Sequence, residues 1–275
     1  MTYLRILMTQ KPRTTLAIML SLVGLVGCTL TIYACNSRAV AVYEAPFNFL
    51  FELTTRESGL RVGELTPNGS VSADDIWTDA SRRDHFLRFT SASSKPESVI
   101  RTITPADDGS LTIELATEVT SAASGRSRLV LEDSGDVVIA SNLANKIESD
   151  FMPRAIFMPS VLNAEERVER EIEVQSKGPM FGSGKGKGTS VIRGIGTQTI
   201  ETPAGIYEAF VIESELSFSV GPARIVLTQR AWIDQGQTQA GIVAEEGQES
   251  VKVFGIGVHS ESRVSVLNEA LVDDD

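Results

Sequence analysis

The 275-residue chain is poor in the residue types that build chemical sites. It has two cysteines, Cys28 and Cys35, and two histidines, His85 and His259. A zinc site would therefore need mostly carboxylate ligands, which zinc rarely accepts. Lysine and arginine number 25 against 36 aspartates and glutamates, and the net charge is −11. Because nucleic-acid affinity depends on neutralising phosphates with basic groups, this balance argues against a nucleic-acid partner.

The sequence also lacks local signatures of catalysis. It has no Gly-x-Ser-x-Gly elbow, although a Ser-His-Asp triad assembled from distant residues is left open. Lys185 and Lys187 in the Gly-rich run 182–190 are not followed by Ser or Thr, so the run predicts a flexible hairpin tip and not a phosphate loop. The acidic runs 107–109 and 132–136 lack EF-hand spacing and predict exposed turns. We predict no catalytic, cofactor-binding or metal-binding residue, and no cofactor.

The N-terminal region carries an export signal. Three basic residues lie in its first 13 positions, and the apolar run 14–27 follows and ends at Cys28. The motif Leu25-Val26-Gly27-Cys28 resembles the lipobox of bacterial lipoprotein precursors. The resemblance implies that residues 1–27 are removed and that Cys28 is acylated.

Two alternatives to this assignment are open. Cys35 ends a poorer lipobox, because the bulky Tyr33 replaces a small residue. Modification there would leave no spare thiol in an oxidising compartment, and Asn36 would begin a polar mature chain. Apolar character also continues to Cys35, so residues 14–35 are long enough for an uncleaved membrane anchor. We select Cys28 because its motif is the better one.

These boundaries divide the chain into four parts. Residues 1–27 are predicted to be the signal peptide, 28–45 an acylated tether, 46–268 a single β-domain and 269–275 an acidic disordered tail. Removing the signal peptide removes three basic residues and no acid, which leaves 22 basic against 36 acidic residues. Acyl chains hold such a protein on a membrane without a basic patch.

The residue after the lipobox cysteine predicts the membrane. In Gram-negative envelopes, an aspartate directly after the lipidated cysteine keeps a lipoprotein in the inner membrane, as the lipoprotein resemblance implies. Thr29 occupies that position here. We therefore predict anchoring in the outer membrane of the bacterial cell envelope, with the domain in the periplasm.

Beyond the tether, apolar residues alternate with a period of two, which is typical of β-strands with one buried face. The runs Phe47–Leu53 and Leu111–Val119 show it, and Tyr207–Val220 shows it over the greatest length. In that last run, Phe210, Ile212, Leu216 and Phe218 are predicted to share the core face, opposite Val211, Glu213 and Glu215.

Turns and breaks complete the fold prediction. Residues 67–69, 105–109 and 133–136 read as tight hairpin turns, which make neighbouring strands antiparallel. A short helix is predicted at Ser72–Arg82, capped by Ser72 and Asp75, and a stretch without strand period at 142–162. We predict an all-β antiparallel meander that forms a curved sheet or an open or incomplete barrel, with at most one or two short helices.

The C-terminal half carries a second resemblance. Its markers are the turn Pro203-Ala204-Gly205 entering a long strand, then Trp232, then Gly241 opening a hydrophobic strand. This pattern resembles a family of uncharacterised exported bacterial β-proteins and implies a fold but no chemistry. Ile206 stands where that family usually has threonine. We assign structural roles to the five marker residues.

We expect a non-enzymatic function from this combination. The leading hypothesis is that the anchored domain binds an apolar or amphipathic envelope molecule, or an envelope protein, because a long one-sided strand favours a curved sheet with a concave pocket. The alternatives are a structural or interaction module without a small ligand and, third, a hydrolase of unknown substrate.

Overall fold

The computed structural model describes residues 60–77, 81–91, 95–117, 123–144, 147–178, 182–235 and 241–271. The predicted signal peptide and tether, with Cys28 and Cys35, lie outside these ranges, and so does the strand predicted at Phe47–Leu53. Within the described ranges, no helix has the length and apolar character needed to cross a bilayer.

The described chain is built of β-strands and one 3₁₀ helix at Ala73–Asp75, which confirms the all-β prediction. The strands are β1 Arg61–Val62, β2 Ser70–Ser72, β3 Arg82–Thr90, β4 Glu97–Pro105, β5 Leu111–Thr117, β6 Ala123–Leu131, β7 Val137–Ala144, β8 Ile147–Met158, β9 Val161–Asn163, β10 Arg167–Gly178, β11 Gly182–Thr202, β12 Gly205–Val220, β13 Ala223–Asp234, β14 Ile242–Val253 and β15 Ile256–Leu271.

Twelve strands form one closed antiparallel barrel. Each strand from β3 to β8 and from β10 to β15 pairs with the next one along the chain, and β8 pairs with β10. The ring closes between β15 and β3, where Val266 lies opposite Leu87. The predicted meander is confirmed, and the structure closes it into a ring. β1 pairs with the end of β11 beyond β10, and β2 pairs with β9 in a separate ribbon.

The barrel has two distinct ends. The connections β3–β4, β5–β6, β7–β8, β10–β11, β12–β13 and β14–β15 lie at one end, which we name the upper end. The connections β4–β5, β6–β7, β8–β10, β11–β12 and β13–β14 lie at the opposite, lower end. The ribbon of β2 and β9 belongs to the lower end, since β9 lies within the β8–β10 connection.

The lower half of the barrel is filled by an apolar core. Leu129 on β6 and Ile233 on β13 belong to the same cluster although many strands separate them around the ring, so the cluster lies inside. Val71 and Leu162, from the β2–β9 ribbon, join it and cover the lower end. Its other buried members are Ala73, Ile103, Leu111, Val137, Val138, Ile156, Met158, Ile192, Phe210, Ile212, Ala231 and Ile242.

The facing predicted for β12 holds along its length. Phe210, Ile212 and Phe218 are buried, Leu216 is partly buried against the inner cluster, and Glu215 is exposed on the outer face. Val211, predicted to lie opposite the core face, is nevertheless buried on the outer face. It packs there in a second cluster with Trp232 and Leu60. Both faces of β12 are therefore buried from Ala209 to Ile212.

Several predicted elements differ from the structure. The turn at 67–69 joins no hairpin, because β1 pairs with β11 and β2 pairs with β9. The helix at Ser72–Arg82 is only the three-residue 3₁₀ turn, although Ser72 and Asp75 do form the predicted capping box, with Ser72 N donating to Asp75 Oδ2 at 2.6 Å. Strand pairing overrides helix formation, because β3 already begins at Arg82. The stretch 142–162 is not irregular, since the end of β7 and all of β8 lie in it. Pro153 is tolerated in β8 because the β7–β8 pairing skips its position, so no ladder hydrogen bond is lost.

The glycine-rich run is also a strand and not a hairpin tip. Residues 182–190 form the first part of β11, with Lys185 and Lys187 exposed. Gly188 lies on the inner face, where a Cβ would come within 2.5 Å of Phe218 Cβ. The glycines let β11 approach β12 closely. At the other end of the chain, β15 continues to Leu271, three residues into the segment predicted as the tail.

Candidate functional site

Polar side chains line one side of the barrel interior, next to the apolar core. Strand register places Arg88 of β3 opposite Ser265 of β15, Ser265 opposite Glu245 of β14, and Glu245 opposite Ala231 of β13. Because Ala231 belongs to the interior cluster, the whole row faces inward. We name Arg88, Gln229, Glu245, Arg263 and Ser265 the polar wall.

Hydrogen bonds fix Glu245 in this wall. Gln229 Nε2 donates to Glu245 Oε2 at 2.8 Å, and Ser265 Oγ donates to Glu245 Oε1 at 3.3 Å. Each carboxylate oxygen thus accepts one bond from a neighbouring strand. The side chain is held in place and is presented to the interior.

Arg88 is the least satisfied member of the wall. Its Nε is buried and has no hydrogen-bond partner in the described part of the chain. Burial lowers the pKa of Arg88 from its ordinary value, and the nearby Arg263 lowers it further, while Glu245, Glu97 and Glu261 act in the opposite direction. A guanidinium with an unused N–H in a partly dry interior is suited to bind an acceptor oxygen.

A second wall, on the inner face of β8, β10 and β12, is apolar. Phe151 of β8, Val174 of β10 and Phe218 of β12 pack in one buried cluster, with the rings of Phe151 and Phe218 edge to face at 6.1 Å between centroids. Register places these residues on the same inner face as Phe210. We name Phe151, Ile172, Val174, Phe218 and Val220 the apolar wall.

The barrel interior thus carries both polar and apolar side chains beside its packed core. An eight-strand barrel is just wide enough for side chains to fill or for one small ligand, and a ring of twelve strands is wider. A polar wall on β3 and β13–β15 and an apolar wall on β8, β10 and β12 match a molecule with a polar head and an apolar body.

A second charged group lies on the outer face. Arg230 Nη2 lies 2.6 Å from Glu213 Oε1, and Arg230 Nη1 lies 3.2 Å from Glu246 Oε1. Glu246 is 1% exposed, and neither of its oxygens accepts a well-aligned hydrogen bond from any described residue. Burial raises the pKa of Glu246 to about 8, against the lowering effect of Arg230 and with a smaller contribution from Glu213. Burial outweighs the attraction of Arg230, which Glu246 shares with Glu213, so the protonated form of Glu246 is favoured.

A third group, in the lower interior, is fully paired and has a structural role. Asp84 is completely buried, with Arg101 Nη2 at 2.6 Å from one oxygen and Arg82 Nε at 2.9 Å from the other. Arg101 also lies 4.7 Å above the ring centre of Phe86 and donates to the carbonyl of Ile242 at 3.3 Å. This network ties β3 and β4 to β14.

The two histidines have different surroundings. His85 is half-buried, with Nε2 at 2.5 Å from Ser98 Oγ and Nδ1 at 3.3 Å from Asn268 Nδ2. With the Asn268 amide in this orientation, Nδ1 accepts and Nε2 carries the proton toward Ser98. His259 lies 3.8 Å from Glu261. No group of three metal-ligating side chains occurs among the residues that the structure describes.

The five marker residues lie at the lower end or on the outer face. Pro203 and Ala204 form the tight turn between β11 and β12, and Gly205 follows with φ of 152°. Trp232 is buried on the outer face, where its Nε1 donates to Gln198 Oε1 at 2.9 Å. Gly241 has φ of 59° directly before β14.

Sequence reasoning did not find the polar wall. Glu245 lies beside Glu246 and reads as part of a solvated acidic pair, yet the two point to opposite faces and both are wholly or partly buried. The signal that could have located the wall is the alternation of inner and outer residues along a strand. Arg88 stands two residues after Phe86, at a core position of β3, where a charged side chain is unexpected.

Comparisons with known proteins return distant structural likenesses. No protein-family model matches the chain, and no curated protein matches it. A Bacteroides fragilis protein proposed to be exported, with a YmcC-like fold, is 10% identical over 70% of this chain and 95% of its own, with a TM-score of 0.34. The hypothetical lipoprotein YmcC of Escherichia coli is 8% identical over 80% and 96%, also at 0.34. A Parabacteroides distasonis protein proposed to be a lipoprotein is 10% identical over 70% and 96%, at 0.32.

Proposed function

We propose that this protein is a lipid-anchored, non-enzymatic protein of the bacterial envelope whose barrel binds an amphipathic small molecule. The observation that carries the proposal is the division of the barrel interior into a polar wall and an apolar wall. The bound molecule directs its polar head toward Arg88 and Glu245 and its apolar body toward Phe151 and Phe218. The lipobox supports the anchor, and Thr29 supports the outer membrane.

The anchor is tested by changing the lipobox cysteine. Cys28→Ser should abolish acylation and leave an unprocessed precursor, because the thiol that receives the diacylglyceryl group is gone. Metabolic labelling with an alkyne fatty acid measures this. The matched control is Cys35→Ser, which should label as the wild type does. Label that persists in Cys28→Ser and vanishes in Cys35→Ser would move the lipidation site to Cys35.

The ligand site is tested by removing the hydrogen-bonding head of Arg88. Arg88→Met keeps the length and apolar stem of the side chain but loses every N–H donor. Hydrogen bonds to charged groups contribute about 1.5–3 kcal/mol, so we expect affinity for an amphipathic anion to fall on the order of 10- to 100-fold. Titration with anilinonaphthalene sulfonate, followed by fluorescence, measures it.

The control is Arg193→Met, an arginine exposed on the outer face of β11. It should bind the probe as the wild type does. Equal affinity in the wild type and Arg88→Met, with unchanged circular dichroism in both, would contradict the assignment of the site to the polar wall.

The contact between Ser98 and His85 favours hydrolysis as a second candidate function. Ser–His pairs activate serine when the imidazole accepts the hydroxyl proton, and this requires the opposite amide orientation at Asn268. Labelling by a fluorophosphonate probe decides the matter. Label on the wild type that disappears in Ser98→Ala would assign the protein to the serine hydrolases, and an unlabelled wild type would leave binding as its function.

A further inference from the structure

Three neighbouring hairpins at the upper end carry only positive charge. Residues 175–178 with 182–189, 217–226 and 250–260 form the ends of β10–β11, β12–β13 and β14–β15, which are adjacent in the ring. They contain no aspartate or glutamate, in a chain with 36 of them. We name their five cations the cationic rim: Lys177, Lys185, Lys187, Arg224 and Lys252.

Strand register arranges the rim as a row across the outer face. Lys187 lies opposite Ser219, Ser219 opposite Arg224, and Arg224 opposite Lys252. Neighbouring strands lie about 4.8 Å apart, so Arg224 and Lys252 form a directly opposed pair of like charges. Such a pair opposes folding. An anionic partner would relieve this repulsion.

Part of the rim is free to bind such a partner. Lys177 and Lys187 are paired with Glu148 and Glu173, at 2.8 and 3.2 Å. Lys185, Arg224 and Lys252 form no ion pair within the described residues, and Lys185 and Arg224 are exposed. These three unpaired cations distinguish this end of the barrel from the acidic remainder of the domain.

An exposed apolar turn stands beside the rim. Phe254 is 78% exposed and Ile256 is 70% exposed, at the tip of the β14–β15 hairpin. Phe254 has φ of 51° and Gly255 has φ of 79°, a turn that normally takes Asn-Gly. A bulky aromatic residue in left-handed backbone is strained, and its exposure to water is unfavourable too. The barrel itself offsets neither the backbone strain nor the exposure of the ring.

We propose that the upper end of the barrel docks on an anionic phospholipid bilayer. Phe254 and Ile256 enter the headgroup region, and Arg224, Lys252 and Lys185 bind lipid phosphates. Aromatic and aliphatic side chains flanked by cations are the combination that holds proteins at a bilayer interface. The proposed acyl anchor brings the protein to a membrane but leaves its orientation open. The 32 residues from Cys28 to Gly59 are long enough to span up to about 110 Å when fully extended. The tip and rim set that orientation.

The test uses the acylated full chain in vesicles, with an environment-sensitive fluorophore on one engineered cysteine in a Cys35→Ser background. Phe254→Cys places the fluorophore at the tip. Ile206→Cys is the matched control, because Ile206 is 72% exposed but lies at the lower end. Vesicles are phosphatidylcholine alone or an equimolar mixture with phosphatidylglycerol, and flotation first shows that the anchor holds the chain on both.

We expect blue-shifted emission, and quenching by lipid-borne quenchers, only for the probe at position 254 and only in phosphatidylglycerol vesicles. Arg224→Gln with Lys252→Gln should lower the partitioning of the tip into these vesicles on the order of 30-fold, since each cation near an anionic surface contributes about fivefold. Arg193→Gln, away from the tip, should leave it unchanged. Insertion at position 206, or equal emission in both vesicles, would overturn the proposal. Loss of flotation would instead contradict the lipid anchor.

Discussion

Phe218→Ala should lower the free energy of unfolding by about 3–5 kcal/mol, as large-to-small changes of buried aromatic residues do. Phe218 is 7% exposed, packs edge to face on Phe151 and lies against Gly188. The glycine has no side chain that could move into the space left by the ring. A cavity therefore persists in the variant. Urea denaturation measures the loss.

The control for this change is Glu215→Ala, three residues earlier on the outer face of the same strand. Glu215 is exposed, so its removal should change stability by no more than about 0.5 kcal/mol. Equal destabilisation by both variants, or a larger loss from Glu215→Ala, would contradict the facing of β12. A smaller loss from Phe218→Ala, together with weaker probe binding, would mean that the ring borders open space in the ligand site.

Glu246→Gln should remove a pH dependence of folding that the wild type shows. Burial raises the pKa of Glu246 from 4.5 to about 8, so between those values the folded chain holds a proton that the unfolded chain has lost. The wild type is therefore most stable below about pH 4.5 with respect to this group, and its stability falls as pH rises toward 8. The difference in pKa corresponds to at most about 5 kcal/mol.

Glutamine keeps the shape of the protonated side chain and cannot ionise. Denaturation midpoints measured from pH 5 to pH 9 should decline for the wild type and stay flatter for Glu246→Gln, so that the variant is the more stable protein at pH 9. Glu215→Gln, which removes an exposed carboxylate, should follow the wild-type curve. A wild-type stability that rises across this range would contradict a buried, protonated Glu246.

Local patterns in the sequence predicted much of the fold. The alternation around Phe210 and Ile212 identified β12 and its inner face, and the Gly109 and Gly135 turns identified two hairpins, because both signals depend on neighbours along the chain. Local patterns of this kind could not predict that the ring closes. Closure depends on pairing between β15 and β3, in which Val266 lies opposite Leu87 although most of the chain separates them in sequence.

The candidate site was harder to predict because it depends on which strands meet. Arg88, Ser265 and Glu245 form one row only after the ring closes, and none of them belongs to a recognisable motif. A β-bulge also hides the inner-face position of Glu245. The β13–β14 register shifts between Trp232 and Ile233, so the alternation of inner and outer residues is interrupted just before Glu245. Alternation counted along β14 alone does not locate it on the inner face.

Native mass spectrometry of the acylated protein, extracted from its own membranes in mild detergent, tests the central claim most directly. If the barrel binds an amphipathic molecule between the polar and apolar walls, the wild type should carry the added mass of one such molecule. Arg88→Met should carry much less of it, and Arg193→Met as much as the wild type. A wild type that is consistently empty, or an added mass that Arg88→Met retains in full, would contradict the account.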